Sequence, residues 1–200
     1  MEEYLDTHPD CIVVHLGCGL DTRSHRVNPP SGVRWYDIDL PDVIELRRRL
    51  YPEREGHHTI GSSVTDPHLF DAIPHDKPVL AVAEGLSMYL SRRDGEALLR
   101  RIIEHFPSGQ VIFDTGNRWG IWMAQQIPAV KASGARLDWS INDPRELEKA
   151  VPGLVLDTEW SYSDAPEVSR LPWAIQQTLR LMDRVTVLRR LGCLVRYRFG

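Results

Sequence analysis

Two carboxylates and a pair of glycines are the residues of this chain whose types and spacing could do chemistry together. The stretch Val13-Val14-His15-Leu16-Gly17-Cys18-Gly19-Leu20-Asp21-Thr22-Arg23 begins as an apolar run and breaks at Gly17 and Gly19. Glycines so placed let the backbone turn tightly and leave no side chain between it and a ligand. Cys18, between them, sits where it can line the crevice. Asp39 follows Gly19 at the distance at which one helix and one strand bring a carboxylate to a ribose diol. Ser63 and Val64 follow a third strand-like run, with a hydroxyl or amide for an adenine edge and an aliphatic side chain for its face. Glu84 ends an apolar run, where an unpaired carboxylate is costly. A ligand α-amino group would pair it, and so would an Arg or Lys of the chain itself. The dinucleotide fingerprint needs a third glycine at position 22, where Thr22 stands. That weighs against NAD or FAD and fits a nucleoside without phosphates, such as S-adenosylmethionine.

Positioning these groups takes alternating strands and helices. Strand-like runs fall at 11–16, at 33–38 with Asp39 ending it, and at 57–62, 78–85, 109–114, 154–161 and 193–199. Helical patterns fall at 41–50, with Pro41 in its first turn, and at 67–73. Others fall at 91–105, with Ser91 and Asp94 as cap, and at 117–133, 143–151 and 172–190. Residues 1–10 read as a polar lead, and Arg47-Arg48-Arg49 as a solvated helix face. The alternation predicts a doubly wound, mostly parallel α/β sheet with helices on both faces.

A length of 200 residues suits one domain, or a domain with a small appendage, and the 42% hydrophobic and 26% charged content is ordinary for a globular protein. A net charge of -4 gives no general affinity for nucleic acid or an anionic membrane. No apolar run approaches the roughly 20 residues needed to span a bilayer. Met1-Glu2-Glu3 is acidic with no apolar segment behind it, so no signal peptide is expected. Cys11, Cys18 and Cys193 are odd in number and lack C-x-x-C spacing. Cys11 and Cys193 read as buried small hydrophobes, no disulfide framework is expected, and the cytoplasm is the expected compartment. The histidines show no metal-ligand spacing, so no metal site is expected.

Three stretches together resemble one family. They are His15-Leu16-Gly17-Cys18-Gly19-Leu20-Asp21-Thr22-Arg23, Tyr36-Asp37-Ile38-Asp39-Leu40-Pro41-Asp42-Val43 and Ala83-Glu84-Gly85-Leu86-Ser87-Met88-Tyr89-Leu90. In order and spacing they resemble the leucine carboxyl methyltransferase family, most closely the bacterial branch related to the tetracenomycin polyketide-synthesis O-methyltransferase. The likeness continues through Phe113-Asp114 and, more loosely, from Leu137-Asp138-Trp139 to Arg196-Tyr197-Arg198-Phe199. It implies a class I, Rossmann-like methyltransferase domain over 1–200 with an antiparallel terminal strand and S-adenosylmethionine as cofactor. By analogy, Gly17, Cys18 and Gly19 lie against the cofactor and Asp39 holds the ribose. Ser63, often an aspartate in the family, and Val64 flank the adenine, and Glu84 faces the methionine amino group. The family's helical segment before the first strand, with a basic residue for the cofactor carboxylate, has no counterpart in this reading. Residues 117–150 and 162–190 are expected to be substrate-side insertions.

Methyl transfer from a sulfonium is an in-line displacement in which the protein mainly supplies proximity and alignment. A carboxylate acceptor needs no general base; a phenol is helped by one. Tyr89 and His15 are the near-site groups for that role, although both also read as structural. Trp119, Trp122, Met123, Trp139 and Trp173 form an apolar set suited to a flat acceptor. The expected activity is S-adenosylmethionine-dependent O-methylation of a small, polyketide-like or aromatic acceptor. The alternatives are an NAD(P)-dependent oxidoreductase, disfavoured by Thr22 and by the lack of a Tyr-x-x-x-Lys pair, and a non-catalytic cofactor-binding protein.

Overall fold

The computed structural model describes residues 1–52 and 54–200. The apolar runs become seven strands: β1 (Ile12–Leu16), β2 (Arg34–Asp39), β3 (His57–Gly61), β4 (Val79–Ala83), β5 (Gly109–Thr115), β6 (Val155–Ser161) and β7 (Cys193–Phe199). They form one sheet in the order β3-β2-β1-β4-β5-β7-β6. The first five run parallel, and β7 lies antiparallel to both β5 and β6. β1 and β4 are buried at every position, which is why they read as unbroken apolar runs. Strand order reverses at β1, with β2 on one side and β4 on the other. The carboxyl ends of β1 and β4 therefore border the crevice in which open α/β sheets bind ligands. The expected doubly wound α/β sheet with an antiparallel last strand is the architecture observed.

Helices cover both faces: α1 (Glu2–Thr7), α2 (Arg23–Arg26), α3 (Pro41–Leu50), α4 (Arg92–His105), α5 (Arg118–Gln125), α6 (Pro128–Ala132), α7 (Glu146–Ala150), α8 (Trp173–Asp183) and α9 (Thr186–Arg189). The larger core lies between the sheet and α4, and includes Trp139, Leu147 and Leu154 from the segment around α7. Ser91 caps α4, its Oγ accepting from the Asp94 N–H at 3.1 Å. The Asp94 carboxylate accepts from the same hydroxyl at 2.7 Å. Gly95 is buried in α4 because a Cβ there would lie 1.9 Å from the Trp139 ring.

Several expectations need correction. The polar lead contains α1, whose Tyr4 and Leu5 cover a second apolar cluster with Cys11, Val13, Leu80 and Val82. The Tyr4 hydroxyl donates to the Val79 carbonyl at 3.1 Å, so tertiary burial sustains this short helix. Residues 67–73 form turns, opened by the His68 N–H donating to Asp66 Oδ1 at 2.9 Å. The helix expected over 117–133 is two helices, α5 and α6, because Pro128 has no N–H to carry the ladder onward and starts α6 instead. The one expected over 172–190 is split between α8 and α9. Trp139 belongs to the core, not to an acceptor pocket.

Candidate cofactor site

Beyond Leu16 the chain turns through Gly17 at φ +63° and Gly19 at φ +50°, both in the left-handed region that favours glycine. The Cys18 N–H donates to the Ile38 carbonyl at 3.1 Å and ties the turn to β2. A Cβ at Gly17 would press on Leu86 at 3.2 Å, whereas one at Gly19 would meet nothing within 4 Å. Gly85, at φ +67°, is open in the same way. The backbone is therefore bare on the side where a ligand would rest.

Asp39 ends β2 beside this turn. Its Oδ2 accepts from the Gly19 N–H at 2.7 Å and its Oδ1 from the Leu40 N–H at 2.8 Å. Each oxygen keeps a lone pair for a further donor. Glu84 follows β4, on the opposite flank of β1. Two strand spacings place the two carboxylates' backbones about 10 Å apart, with Gly17 between them. The structure thus brings together the glycine turn, Asp39 and Glu84.

Glu84 is paired with Arg23, at the start of α2; its side chain is 60% exposed and that of Arg23 18%. Of the two partners allowed from the sequence, this is the chain's own arginine. Arg23 also reaches Asp21 at 3.2 Å, and Arg26 meets the same carboxylate at 3.0 Å. Asp114, near the end of β5, accepts from the Gly85 N–H at 2.7 Å and so fixes the turn behind Glu84. Burial pushes the Asp114 carboxyl above the usual carboxylate range; the Gly85 bond opposes this, and the Glu84 charge adds to it. Sequence reasoning did not single out Asp114, although its place at a strand's carboxyl end was the available signal. Arg23, Glu84, Asp114, Trp160 and Arg196 line an open cleft of about 690 Å³, bordered by Met1 and Glu3.

Beneath the turn lies a polar network that the sequence did not announce. Arg47, expected on a solvated face, is buried on α3 three residues after buried Ile44. Its Nε donates to Asp37 Oδ2 at 3.0 Å, and its Nη1 donates to the carbonyls of Gly19 and Asp21 at 3.1 and 2.7 Å. Asp37 also accepts from His57 Nε2 at 2.7 Å, Trp35 Nε1 at 2.8 Å and His15 Nδ1 at 3.1 Å. Burial alone would raise the Asp37 carboxyl. The bonds from His15, His57 and Trp35 and the Arg47 charge outweigh it and hold the group well below the ordinary range. This network clamps the turn from below through Arg47.

The remaining sequence candidates fall as follows. His15 is 2% exposed and belongs to the Asp37 network, which makes it a support for the turn and not a base at the cleft. Tyr89 is half-exposed on the short 3₁₀ turn Ser87–Tyr89 that follows Glu84. Ser63 Oγ accepts from the Thr65 N–H at 3.2 Å. The Ser62 N–H donates to the Asp39 carbonyl at 2.9 Å, which keeps this loop beside Asp39. The Val64 side chain packs into the core. Cys18 is buried and does not line the crevice; burial pushes its thiol up to about 12, so it stays protonated. Cys11 and Cys193 are buried free thiols, as expected. Trp119, Trp122, Met123 and Trp173 are exposed. No helix among the described residues is long and apolar enough to cross a membrane.

Comparison with known proteins adds a second line of observation. The family model described as leucine carboxyl methyltransferase matches residues 6–103. The chain is 49% identical, over 163 residues and 82% of its length, to the tetracenomycin polyketide synthesis O-methyltransferase TcmP of Streptomyces glaucescens, and it spans 60% of that protein. It is 32% identical over 99% of its length to the S-adenosyl-L-methionine-dependent methyltransferase dpfgK of Gibberella zeae, and covers 72% of it. Among solved structures, an S-adenosylmethionine-dependent methyltransferase from Mesorhizobium loti superposes with a TM-score of 0.63 at 17% identity. That alignment covers 98% of this chain and 96% of the other, and the likeness is one of fold.

Proposed function

The chain belongs to the leucine carboxyl methyltransferase family of S-adenosylmethionine-dependent methyltransferases, and from that premise we propose that it methylates a carboxylate or hydroxyl of a small, polyketide-like or aromatic acceptor. The observation that carries this reading is the bare backbone at Gly19 and Gly85, flanked by Asp39 and by Glu84. A side chain at either glycine would fill the space a nucleoside needs. The cofactor supplies the methyl group and a sulfur leaving group that requires no proton.

The chain's own residues do the rest. Asp39 accepts from the ribose hydroxyls with its spare lone pairs, while Gly19 and Leu40 hold it in place. Ser63 borders the adenine, with the Val64 side chain turned into the core, and Glu84 receives the methionine ammonium. Arg47 and Asp37 keep the turn rigid, which matters because alignment within a bound pair can contribute about 7–11 kcal/mol. For a carboxylate acceptor no base is required. For a hydroxyl acceptor Tyr89 is the near-site group left, since His15 lies in the Asp37 network. We assign residues 117–150 and 162–190 to the acceptor side, where exposed Trp119, Trp122, Met123 and Trp173 offer apolar rings to a flat molecule. A cytoplasmic location accords with three buried free cysteines.

Titration calorimetry of the purified chain with S-adenosylmethionine and with NAD tests the reading. One saturable site for the first and none for the second is expected. Heat with NAD alone would replace the methyltransferase by an oxidoreductase. Binding of S-adenosylmethionine without turnover of any carboxylate or phenol acceptor would leave a cofactor-binding protein.

A further inference from the structure

At the end of the sheet away from the glycine turn the chain leaves an open cavity of about 570 Å³. Its walls come from residues 29–31, from the start of β2 and from residues 54–58 at the start of β3. From Arg34 to Asp39 runs the whole of β2, so about 17 Å of strand separates this cavity from the carboxylate assigned to the ribose. We propose that the cavity is a second ligand site, for a small phosphate monoester whose phosphate meets Arg54 and Arg34 and whose apolar body rests on Pro29 and Pro30. The site stands apart from the methyltransferase reading and does not depend on it.

The donors are in place. Arg54 Nη1 donates to the Ser24 carbonyl at 3.1 Å and Nη2 to Asn28 Oδ1 at 2.8 Å. Both acceptors are neutral, and a guanidinium has five N–H donors, so Arg54 is positioned while its charge and further donors stay available. Arg34 pairs with Asp76 through Nη2, and its Nε is buried with no acceptor among the described residues. Asp76 therefore takes one arm of a fork that suits two oxygens. His57 and His58 add imidazole nitrogens and Ser31 a hydroxyl; Glu55 is the one carboxylate in the lining, and it is exposed. A phosphate monoester carries close to two negative charges on three terminal oxygens, enough for guanidiniums at the starts of two neighbouring strands. A carboxylate has oxygens for one of them.

The local field agrees. His25 lies beside the cavity, its ring 5.8 Å from that of His57. Burial lowers the His25 imidazole below its ordinary range, and His57, Arg47 and Arg54 each lower it further by more than Asp37 raises it. The walls are also preformed. Asn28 adopts the left-handed conformation at φ +46°, which asparagine tolerates, and Pro29 and Pro30 have fixed φ. The Val33 N–H donates to the Pro30 carbonyl at 3.0 Å and the Trp35 N–H to the Gly56 carbonyl at 2.8 Å. A ligand entering here has little backbone left to order.

Calorimetry on the full chain, without cofactor, tests the site with phenyl phosphate, phenylacetate and phenol. One saturable site for phenyl phosphate is expected, with phenylacetate weaker by about fivefold or more and phenol silent. Arg54→Gln should weaken phenyl phosphate about tenfold, because a hydrogen bond between charged groups is lost. Arg54 also braces the loop before it, so a second variant leaves it untouched. Ser31 is exposed and lines the cavity. Ser31→Glu, which sets a negative charge against the phosphate, should weaken the ligand by a similar factor, while Ser31→Gln, of the same size, stays within about twofold. Phenylacetate or phenol binding as tightly as phenyl phosphate would overturn the phosphate assignment. Equal phenyl phosphate affinity in wild type, Arg54→Gln and Ser31→Glu would put the ligand elsewhere and overturn the site. Wild type that gives no saturable heat with phenyl phosphate would overturn it as well.

Discussion

Asp39 holds the glycine turn with both oxygens and still has lone pairs to offer. Asp39→Ala is therefore expected to reduce S-adenosylmethionine affinity more than tenfold in calorimetry. An unchanged affinity would take Asp39 out of the ribose role. Asp37 is a different kind of carboxylate, wholly buried and matched by Arg47. Asp37→Asn strands that guanidinium in the interior and is expected to cost about 3–5 kcal/mol in a denaturant melt. The pH dependence follows from the sign of its shift. Its folded pKa lies well below the unfolded carboxylate value of about 4. The stabilisation is therefore complete above about pH 4 and is lost as pH falls from there toward the folded value. Wild type should lose melting temperature across that acid range, and Asp37→Asn should show a flatter profile. At this scale the placement of Gly17, Gly19, Asp39 and Glu84 at strand ends was legible because strand and helix lengths fix their spacing. Arg47 was not legible. A basic residue within Arg47-Arg48-Arg49 reads as solvated until the carboxylate of another strand is known to lie under it; for His15 the structural reading is the one that holds.

Helix α4 is set by one contact. Gly95 allows the Trp139 ring to lie against the helix backbone. Gly95→Ala would improve helix propensity, yet overpacking against the indole should dominate and destabilise by roughly 1–3 kcal/mol. A melt in which Gly95→Ala is more stable than wild type would show that Trp139 can move aside. β1 and β4 were legible because both of their faces are covered, and burial on both faces leaves an apolar run in the sequence. The helices after β5 were legible in place but not in their ends and breaks. α8 has no buried residue among those described, so its amphipathic pattern answered to no core that could fix its ends. α1 was missed for the converse reason: two buried side chains are too few to make a period.

Seen whole, the molecule has two unequal cores, and the smaller one depends on α1. Tyr4 and Leu5 are the cover over Cys11, Val13, Leu80 and Val82. Tyr4→Ala removes that ring and its bond to Val79, and a loss of about 3–5 kcal/mol is expected. Increased binding of a hydrophobic dye should accompany it, since the strands beneath become accessible. An unchanged melting point would mean that the second cluster does not need its helix.

The place of β7 has a consequence for synthesis. β6 reaches the sheet only by pairing with β7, and β7 in turn docks on β5. During translation the five parallel strands can associate while the outer edge of β5 stands open and β6 has nowhere to attach. That raw edge accepts any strand of the right register, including the β6–β7 pair of a neighbouring nascent copy. Intertwined dimers formed by this exchange, and a demand for chaperone protection during the interval, are the hazards that the topology builds in.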